Sequence, residues 1–535
     1  MSIADSLWYK DAVFYELSVR AFKDGNGDGH GDLLGLIQKL EYLQTLGVDC
    51  LWLMPIYSSP LRDDGYDIAD YYAIGEKFGN LEDFKALIEA AHARNIRIIM
   101  DLVLNHTSDE HPWFKASRSD HDSPYRDYYV WSDTNQKYKG TRIIFLDTES
   151  SNWTWDEKRG QYYWHRFYAS QPDLNFDNPS VQQEMIEVAR FWLALGIDGF
   201  RVDAVPYLFE REGTSCENLP ETHAYLRKLR AFVDENYPGR ILLCEANQWP
   251  EDVRPYFGDG DEFHMGFHFP IMPRIFMALK KGRIDDIDDI LRRTPPIPEN
   301  CQWCTFLRNH DELTLEMVTP EDREWMWREY APDPRMRLNM GIRRRLAPLL
   351  DNNRRKIELA YSLLFTLPGS PIIYYGDEIG MGENLELPDR NGVRTPMQWD
   401  ESINAGFTTG RPFTEFVPGD FDYHHVNVAN QLADENSLLH SIGHMISTRR
   451  KQPGFGRGSI KWIETGNPAA AVYRREHRDE SLLILNNLSN SLQPVTIPSE
   501  YSGEYLDLLS NANYEIGTTL TLQPYSYFWL KVPGE

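Results

Sequence analysis

No stretch of this 535-residue chain stays apolar for the ~18 to 20 residues that a membrane-spanning helix needs. Its first residues, Met1 to Lys10, lack the basic and apolar regions of a secretory signal. Basic clusters are scarce too. Arg343-Arg344-Arg345 and Arg354-Arg355-Lys356 are the only dense runs, and 55 basic against 81 acidic residues leave a formal charge of −26. That balance argues against nucleic acid and anionic membrane as partners and suits a neutral substrate. Cysteine is rare, with five residues at positions 50, 216, 244, 301 and 304. An odd, scattered set gives no disulfide framework. Cys301 and Cys304 form a lone C-x-x-C without the second pair zinc would need, so they read as structural. The expectation is a cytoplasmic globular chain, long enough for roughly three or four domain-sized units.

Strand-like and helix-like segments alternate from the start. Val13 to Val19, Val48 to Met54 and Ile96 to Val103 read as strands, separated by helices over Leu33 to Leu46 and Leu81 to Arg94. Between Asn105 and Asp173 the rhythm breaks into a stretch dense in Trp, Tyr, Ser and Asp, too long to be a bare loop and read as an inserted small domain. A helix over Gln182 to Leu195 then feeds Gly196 to Ala204, a short buried strand. A helix over His223 to Asn236 follows, with strands at Arg240 to Glu245, Phe263 to Phe269, Cys304 to Asp311 and Pro371 to Gly376. Apolar strands bounded by helices point to a parallel sheet buried on both faces, and eight such repeats to a (β/α)8 TIM barrel. After about Arg450, short strands separated by turn residues read as a C-terminal antiparallel β-sandwich. The predicted division is a catalytic barrel over 1–104 and 174–449, an inserted domain over 105–173 and the β domain over 450–535.

Chemistry in such a barrel sits at the C-terminal ends of the strands. There the sequence puts Asp101 with Asn105 and His106, Arg201 with Asp203, Glu245, and His310 with Asp311. Arg201 and Asp203 are two apart in a strand and share a face, so the pair could be structural; the company at the same end makes it catalytic. Paired carboxylates are the apparatus of glycoside hydrolysis. Arg201 should lower the pKa of Asp203, which suits a nucleophile. Glu245, with apolar residues before it and no cation adjacent in sequence, should have a raised pKa and serve as acid and then base. Asp311 would oppose the positive charge that develops on the sugar.

Asp101-Leu102-Val103-Leu104-Asn105-His106, Gly199-Phe200-Arg201-Val202-Asp203, Glu245 and Asn309-His310-Asp311 resemble, in order, the motif blocks of the α-amylase superfamily. The resemblance covers nearly the whole chain. It implies the barrel, a small domain after the third strand, a C-terminal β domain and a retaining mechanism with Asp203 as nucleophile, Glu245 as acid/base and Asp311 as stabiliser. His106, Arg201 and His310 are implied to bind substrate. Asp63-Asp64-Gly65-Tyr66-Asp67 and Arg394-Thr395-Pro396-Met397-Gln398-Trp399 resemble the subgroup acting on short α-glucosides, where Asp63 and Arg394 would grip one terminal glucose and Tyr66 would stack on its ring.

Trp249 to Gly258, Phe263 to Pro270 and Leu338 to Pro348 resemble the branch that interconverts maltose and trehalose. The implied activity is isomerisation of maltose by intramolecular glucosyl transfer, with minor hydrolysis. The alternatives are an α-glucosidase or oligo-1,6-glucosidase with the same triad, or a non-catalytic barrel. The Arg-rich segment from Arg335 to Arg345 is either a lid that keeps water out or a solvated helix face. Relatives are commonly dimers, so a homodimer or higher oligomer is the expected assembly.

Asp24-Gly25-Asn26-Gly27-Asp28-Gly29-His30-Gly31-Asp32 spaces oxygen ligands as the first part of an EF-hand does, without its distal Glu; a Gly/Asp turn is the other reading. The resemblance implies Ca²⁺ or Mg²⁺ held there by Asp24, Asn26, Asp28, Asp32 and the His30 carbonyl. It implies a second Ca²⁺ site at Asn105, Asp173 and Glu210 with the carbonyls of Tyr207 and Leu208. Both would be structural, and no organic cofactor is expected.

Overall fold

The computed structural model describes residues 7–119 and 121–532; part of the Met1 to Lys10 reading therefore lies outside the described residues. Eight parallel strands close into a barrel: β1 Phe14–Leu17, β2 Cys50–Leu53, β3 Arg97–Val103, β4 Gly199–Asp203, β5 Ile241–Cys244, β6 Met265–Phe267, β7 Gln302–Phe306 and β8 Ser370–Tyr374. Each pairs with the next in sequence, and β8 pairs with β1. The expected strands are all present, though most are shorter than the sequence suggests. No described helix is long and apolar enough to cross a membrane.

Local chemistry fixes the element that carries the central charges. Asn178 caps the helix Pro179–Leu195 by accepting from the Ser180 amide, Pro179 occupies its first turn, and Gly196 ends it at φ 110°. Three residues later Gly199 lies so close to β5 that a Cβ there would sit 2.2 Å from the Ile241 carbonyl oxygen. Glycine is what lets β4 and β5 pair with Leu243 beside Arg201. The helix expected from Leu33 to Leu46 is two, Leu33–Gln38 and Leu40–Leu46. Lys39 leaves helical geometry between them, and its ammonium sits 4.0 Å above the Trp399 ring.

The inserted stretch builds a three-stranded antiparallel sheet from Trp131–Ser132, Gln161–Trp164 and Trp153–Asp156, with a small core of Val130, Trp153 and Trp164. Bridges between His106 and Asp173 and between Tyr129 and Leu174 tie its two ends together. The C-terminal region forms a six-stranded antiparallel sheet facing a two-stranded one, Gln493–Thr496 with Thr519–Leu522. Side-chain alternation divides the large sheet. Val472, Leu483 and Leu485 fill a core of the β domain's own, while Ala471, Tyr473, Leu482 and Ile484 join the core of the barrel. All five cysteines are buried and free, in keeping with their structural reading.

Candidate active site

Arg201 sits at the centre of the barrel mouth, 1% exposed, and one guanidinium serves three carboxylates. Nη1 donates to Asp101, the neighbour of Arg201 across the β3–β4 ladder, and to Asp203 Oδ1 at 2.6 Å; Nη2 donates to Glu245 Oε1. Asp101 lies below the others, its second oxygen held by the Trp52 indole at 2.7 Å. Glu245, one residue past β5, also accepts from the amide of Ala204 at 3.1 Å, and its side chain keeps 18% exposure. Ala204, directly after Asp203, has φ 51°, an unfavourable conformation for alanine that turns the chain away from the strand end.

Burial raises the pKa of Asp203 to about 6, against the lowering by Arg201, with Asp101 adding to the rise. The expected lowering is thus overturned: the single guanidinium is divided among three acids, and desolvation outweighs its share. Glu245 is pushed up to about 7, first by burial and then by Asp203 and Asp311, again against Arg201. That is the rise the sequence led us to expect, although a cation does lie beside it. Of the two, Asp203 ionises first and Glu245 keeps its proton to the higher pH.

Asp311 is treated differently. Burial alone would raise its pKa, but His310, Arg390 and Arg394 together hold it well below the usual carboxylate range. Arg390 Nη1 and Arg394 Nη2 donate to Asp311 Oδ1 at 2.8 and 3.0 Å, and His310 Nε2 lies 3.2 Å from Oδ2. Arg390 Nη2 also reaches Asp63 Oδ1 at 2.8 Å, while Gln171 holds Oδ2 at 2.9 Å. Tyr66 stacks its ring on His310 at 5.3 Å and hydrogen-bonds its Nε2 at 3.0 Å.

Asp203, Glu245 and Asp311 open onto one cavity. Asp63, Tyr66, His106 and His310 line it as expected. The imidazole of His106 is neutral, its pKa brought down to about 3 by burial, and its Nε2 is buried without a partner. A sugar hydroxyl would satisfy it. Arg394 stands behind Asp311, its Nε on the His310 carbonyl at 2.8 Å, and Arg390 takes the place in the cavity wall that the sequence reading gave to Arg394. Arg390 was missed because it lies in a short 3-10 turn, Asp389–Val393, with no strand end to mark it. The inserted stretch adds Ile144, Phe145 and Phe167 to the lining, with Asn247, Thr314 and Glu316. Arg142 spans the rim, donating to Glu316 at 2.7 Å, Glu217 at 2.9 Å and the Tyr207 hydroxyl at 3.1 Å.

The segment Arg335 to Arg345 is not a solvated helix face. It holds two short strands, Arg337–Leu338 and Gly341–Ile342, and buries Arg343 and Arg345. Arg343 donates to the carbonyls of Arg335, Leu385, Leu387 and Asp389, so it fastens the loop that carries Arg390.

Among the described residues no three His, Cys, Asp or Glu side chains gather as a metal cluster. The two expected sites differ in how their donors stand. In the loop from Asp24 to Asp32 the acceptors are already engaged. Asp24 takes the amides of Asn26, Gly27 and Gly29, Asn26 that of Asp28, Asp28 that of His30 and the Lys77 ammonium, and Asp32 those of Gly25 and Gly35. At the second site, burial raises Asp173 to about 8, and burial followed by Asp173 drives Glu210 well above its usual value. Asp173 Oδ2 has no partner. Two buried acids repelling each other beside the Asn105 amide form an all-oxygen set that a hard cation would neutralise. The second site fits a Ca²⁺ ion; the first carries no such sign.

The family model for the α-amylase catalytic domain matches residues 17–332 and 342–458, and that for the maltogenic amylase C-terminal domain matches 460–529. Trehalose synthase/amylase TreS of Mycobacterium tuberculosis strain H37Rv is 55% identical over 99% of this chain and 91% of its own length. Trehalose synthase of Pimelobacter sp. R48 is 54% identical over 99% and 98%. Among solved structures, trehalulose synthase MutB from Pseudomonas mesoacidophila MX-45 superposes with a TM-score of 0.78 at 29% identity, covering 98% of this chain and 99% of that one. With both of its structural parts matched and more than half of its residues shared with such relatives, the chain belongs to the α-amylase family of carbohydrate-processing enzymes.

Proposed function

We propose that this protein isomerises maltose to trehalose by intramolecular glucosyl transfer with retention, releasing some glucose by hydrolysis. The observation that carries the chemistry is the placement of Asp203 and Glu245 on one guanidinium at the mouth of the cavity. Two carboxyls joined through one guanidinium suit the close spacing of retaining enzymes, since an inverting enzyme keeps its two carboxyls apart to admit water. Trehalose as a product is supported by the names of the relatives described above, and maltose as the substrate follows from the sequence resemblance.

In this reading Asp63 and Arg390 hold the hydroxyls of the terminal glucose, and His106 Nε2 takes one more. Asp203 attacks C1 from below while Glu245 passes its proton to the departing glycosidic oxygen, and the C1–O bond breaks as the ester bond to Asp203 forms. Asp311, kept ionised by its three cations, opposes the positive charge developing at C1. The freed glucose turns within the cavity and offers its 1-hydroxyl. Glu245, now a carboxylate, takes that proton; the hydroxyl oxygen bonds to C1 as the bond to Asp203 breaks.

Transfer wins over hydrolysis only if water stays out. The apolar wall of Ile144, Phe145 and Phe167, held by Arg142 across the rim, supports that condition. A Ca²⁺ ion at Asn105, Asp173 and Glu210, with the carbonyls of Tyr207 and Leu208, would supply a structural link between the inserted stretch and the turn after Asp203. Incubation of the pure protein with maltose, followed by NMR of the anomeric protons, tests the proposal. Trehalose should accumulate over glucose. Glucose as the only product would make the enzyme an α-glucosidase, and no turnover would leave a binding barrel.

A further inference from the structure

We propose that Glu16 is a positioning residue for the glucosyl transfer: from β1 it fixes the His310 ring as a donor at both nitrogens and so keeps Nε2–H aimed at Asp311 and the sugar. This inference rests on the function proposed above and deepens it at the same site. Glu16 is fully buried and reaches His310 from the opposite side of the barrel mouth to Asp203. Its Oε1 accepts both the ring Nδ1–H at 2.5 Å and the backbone N–H at 3.2 Å. One oxygen taking two protons of the same residue leaves the ring no freedom to flip.

The protons then follow from the partners. A carboxylate only accepts, so Nδ1 must carry a proton. A neutral ring would then turn a bare Nε2 lone pair toward Asp311 Oδ2, 3.2 Å away, and two acceptors would face each other. The contact is favourable only if Nε2 is protonated as well. The Tyr66 hydroxyl lies 3.0 Å from the same nitrogen and itself accepts from Arg201 Nη1 at 3.4 Å, which leaves it free to accept from a protonated Nε2. The other charges around the ring agree. Burial opposes the imidazolium, but Asp311 first and Glu16 second outweigh it and raise His310 to about 9. Asp101 faces it from β3, and Arg394 touches only its carbonyl, with Arg390 beyond Asp311. A buried pair serving stability alone would need none of this aim at the cavity.

Two measurements decide the matter. Histidine ¹⁵N spectra of the wild-type protein, with His310 assigned through H310N, should show both ring nitrogens protonated at about pH 8, well above the ordinary histidine pKa. Glu16→Gln keeps an oxygen for Nδ1–H but removes the charge, so the His310 signal should lose a proton as pH rises through the neutral range. Turnover of p-nitrophenyl α-glucoside by E16Q should fall about tenfold to a hundredfold at about pH 8 and less at about pH 6, with little change in melting temperature. A singly protonated His310 in the wild type, or identical spectra and pH profiles in wild type and E16Q, would overturn the proposal. Should E16Q fail to fold, the wild-type spectrum still decides. The aryl glucoside reports the first glucosylation whatever the final product, so a failed trehalose assay and a failed role for Glu16 remain separate results.

Discussion

Arg201 and the pair Arg449 and Arg475 are all at most 2% exposed, yet their charges are met in opposite ways. Around Arg201 stand three acids that can each gain or lose a proton. Arg449 and Arg475 hydrogen-bond only to carbonyls. Arg449 donates to the carbonyls of Phe365 and Gly369; Arg475 donates to those of Thr366 at 2.5 Å, Phe455 at 2.9 Å and Gly458 at 2.8 Å. Phe365 and Thr366 end the helix Arg354–Thr366, whose last carbonyls and negative dipole end face these cations. Arg475 belongs to the C-terminal sheet, so the β domain itself caps the helix that feeds β8. Fixed dipoles hold a charge without exchanging protons, whereas carboxylates hold it and titrate. The first arrangement is a joint and the second a reaction centre. Burial pushes the pKa of Arg449 down to about 9 and that of Arg475 to about 10, which leaves both charged at neutral pH.

The sharpest break in this contrast is Arg201→Met. With the guanidinium gone, Asp101, Asp203 and Glu245 would be left buried without a cation, and all three would take up protons. Turnover should fall by about 10⁴-fold or more, as when the nucleophile itself is disabled. Assay of maltose loss alongside thermal melting checks it; residual activity within about tenfold of wild type would deny that Arg201 keeps Asp203 ionised.

Arg475→Met tests the other side. It leaves the carbonyls of Thr366, Phe455 and Gly458 unpaired in a buried joint, and the cost should be about 2 to 4 kcal/mol. The kcat of the protein that remains folded should not move. Urea unfolding read with activity per folded molecule separates the two, and a drop in kcat without lost stability would make the joint part of the site.

The difference between these regions also marks what the sequence makes legible. Eight apolar strands bounded by helices announce a barrel, and polar residues at the ends of four of them point to its mouth, where the structure gathers Asp203, Glu245 and Asp311. Arg390 did not announce itself, because its place depends on how the loop from Glu383 folds back over Asp63. The pKa of Asp203 was misjudged for a related reason. Sequence shows that Arg201 is two residues away, but not that Asp101 and Glu245 draw on the same guanidinium from neighbouring strands. Nothing in the sequence around Arg475 marks it as buried. Pairings that cross between elements decide both the proton count of the site and the strength of the joint, and neither spacing nor composition contains them.

A third place in the chain inverts the arrangement at Arg201. Asp173 and Glu210 are buried acids with too little positive charge near them. If Ca²⁺ fills that place, adding it to EDTA-treated protein should stabilise the fold by about 2.7 kcal/mol at a hundredfold excess over its dissociation constant. Glu210→Gln should remove most of that gain while raising the stability of the metal-free protein, because one of two repelling acids is gone. A melting temperature indifferent to Ca²⁺ in the wild type would count against the site.

The smallest effect expected is in the pH profile, and it bears on the contrast most directly. The working form of the Asp203–Glu245 pair carries one proton. Below about 6 Asp203 becomes protonated and can no longer attack; above about 7 Glu245 has lost the proton it must give to the leaving oxygen. The two groups titrate together, so kcat/KM should trace a narrow bell between these values, falling about tenfold per pH unit on either side. Arg475→Met should leave both limbs in place, since no titrating group touches that guanidinium. A conservative Arg201→Lys keeps one charge but cannot fork between three acids. The carboxylates it serves less well should titrate higher, which carries both limbs of the bell upward. A profile flat from about pH 5 to about pH 9 would mean that the Glu245 proton is not the one transferred.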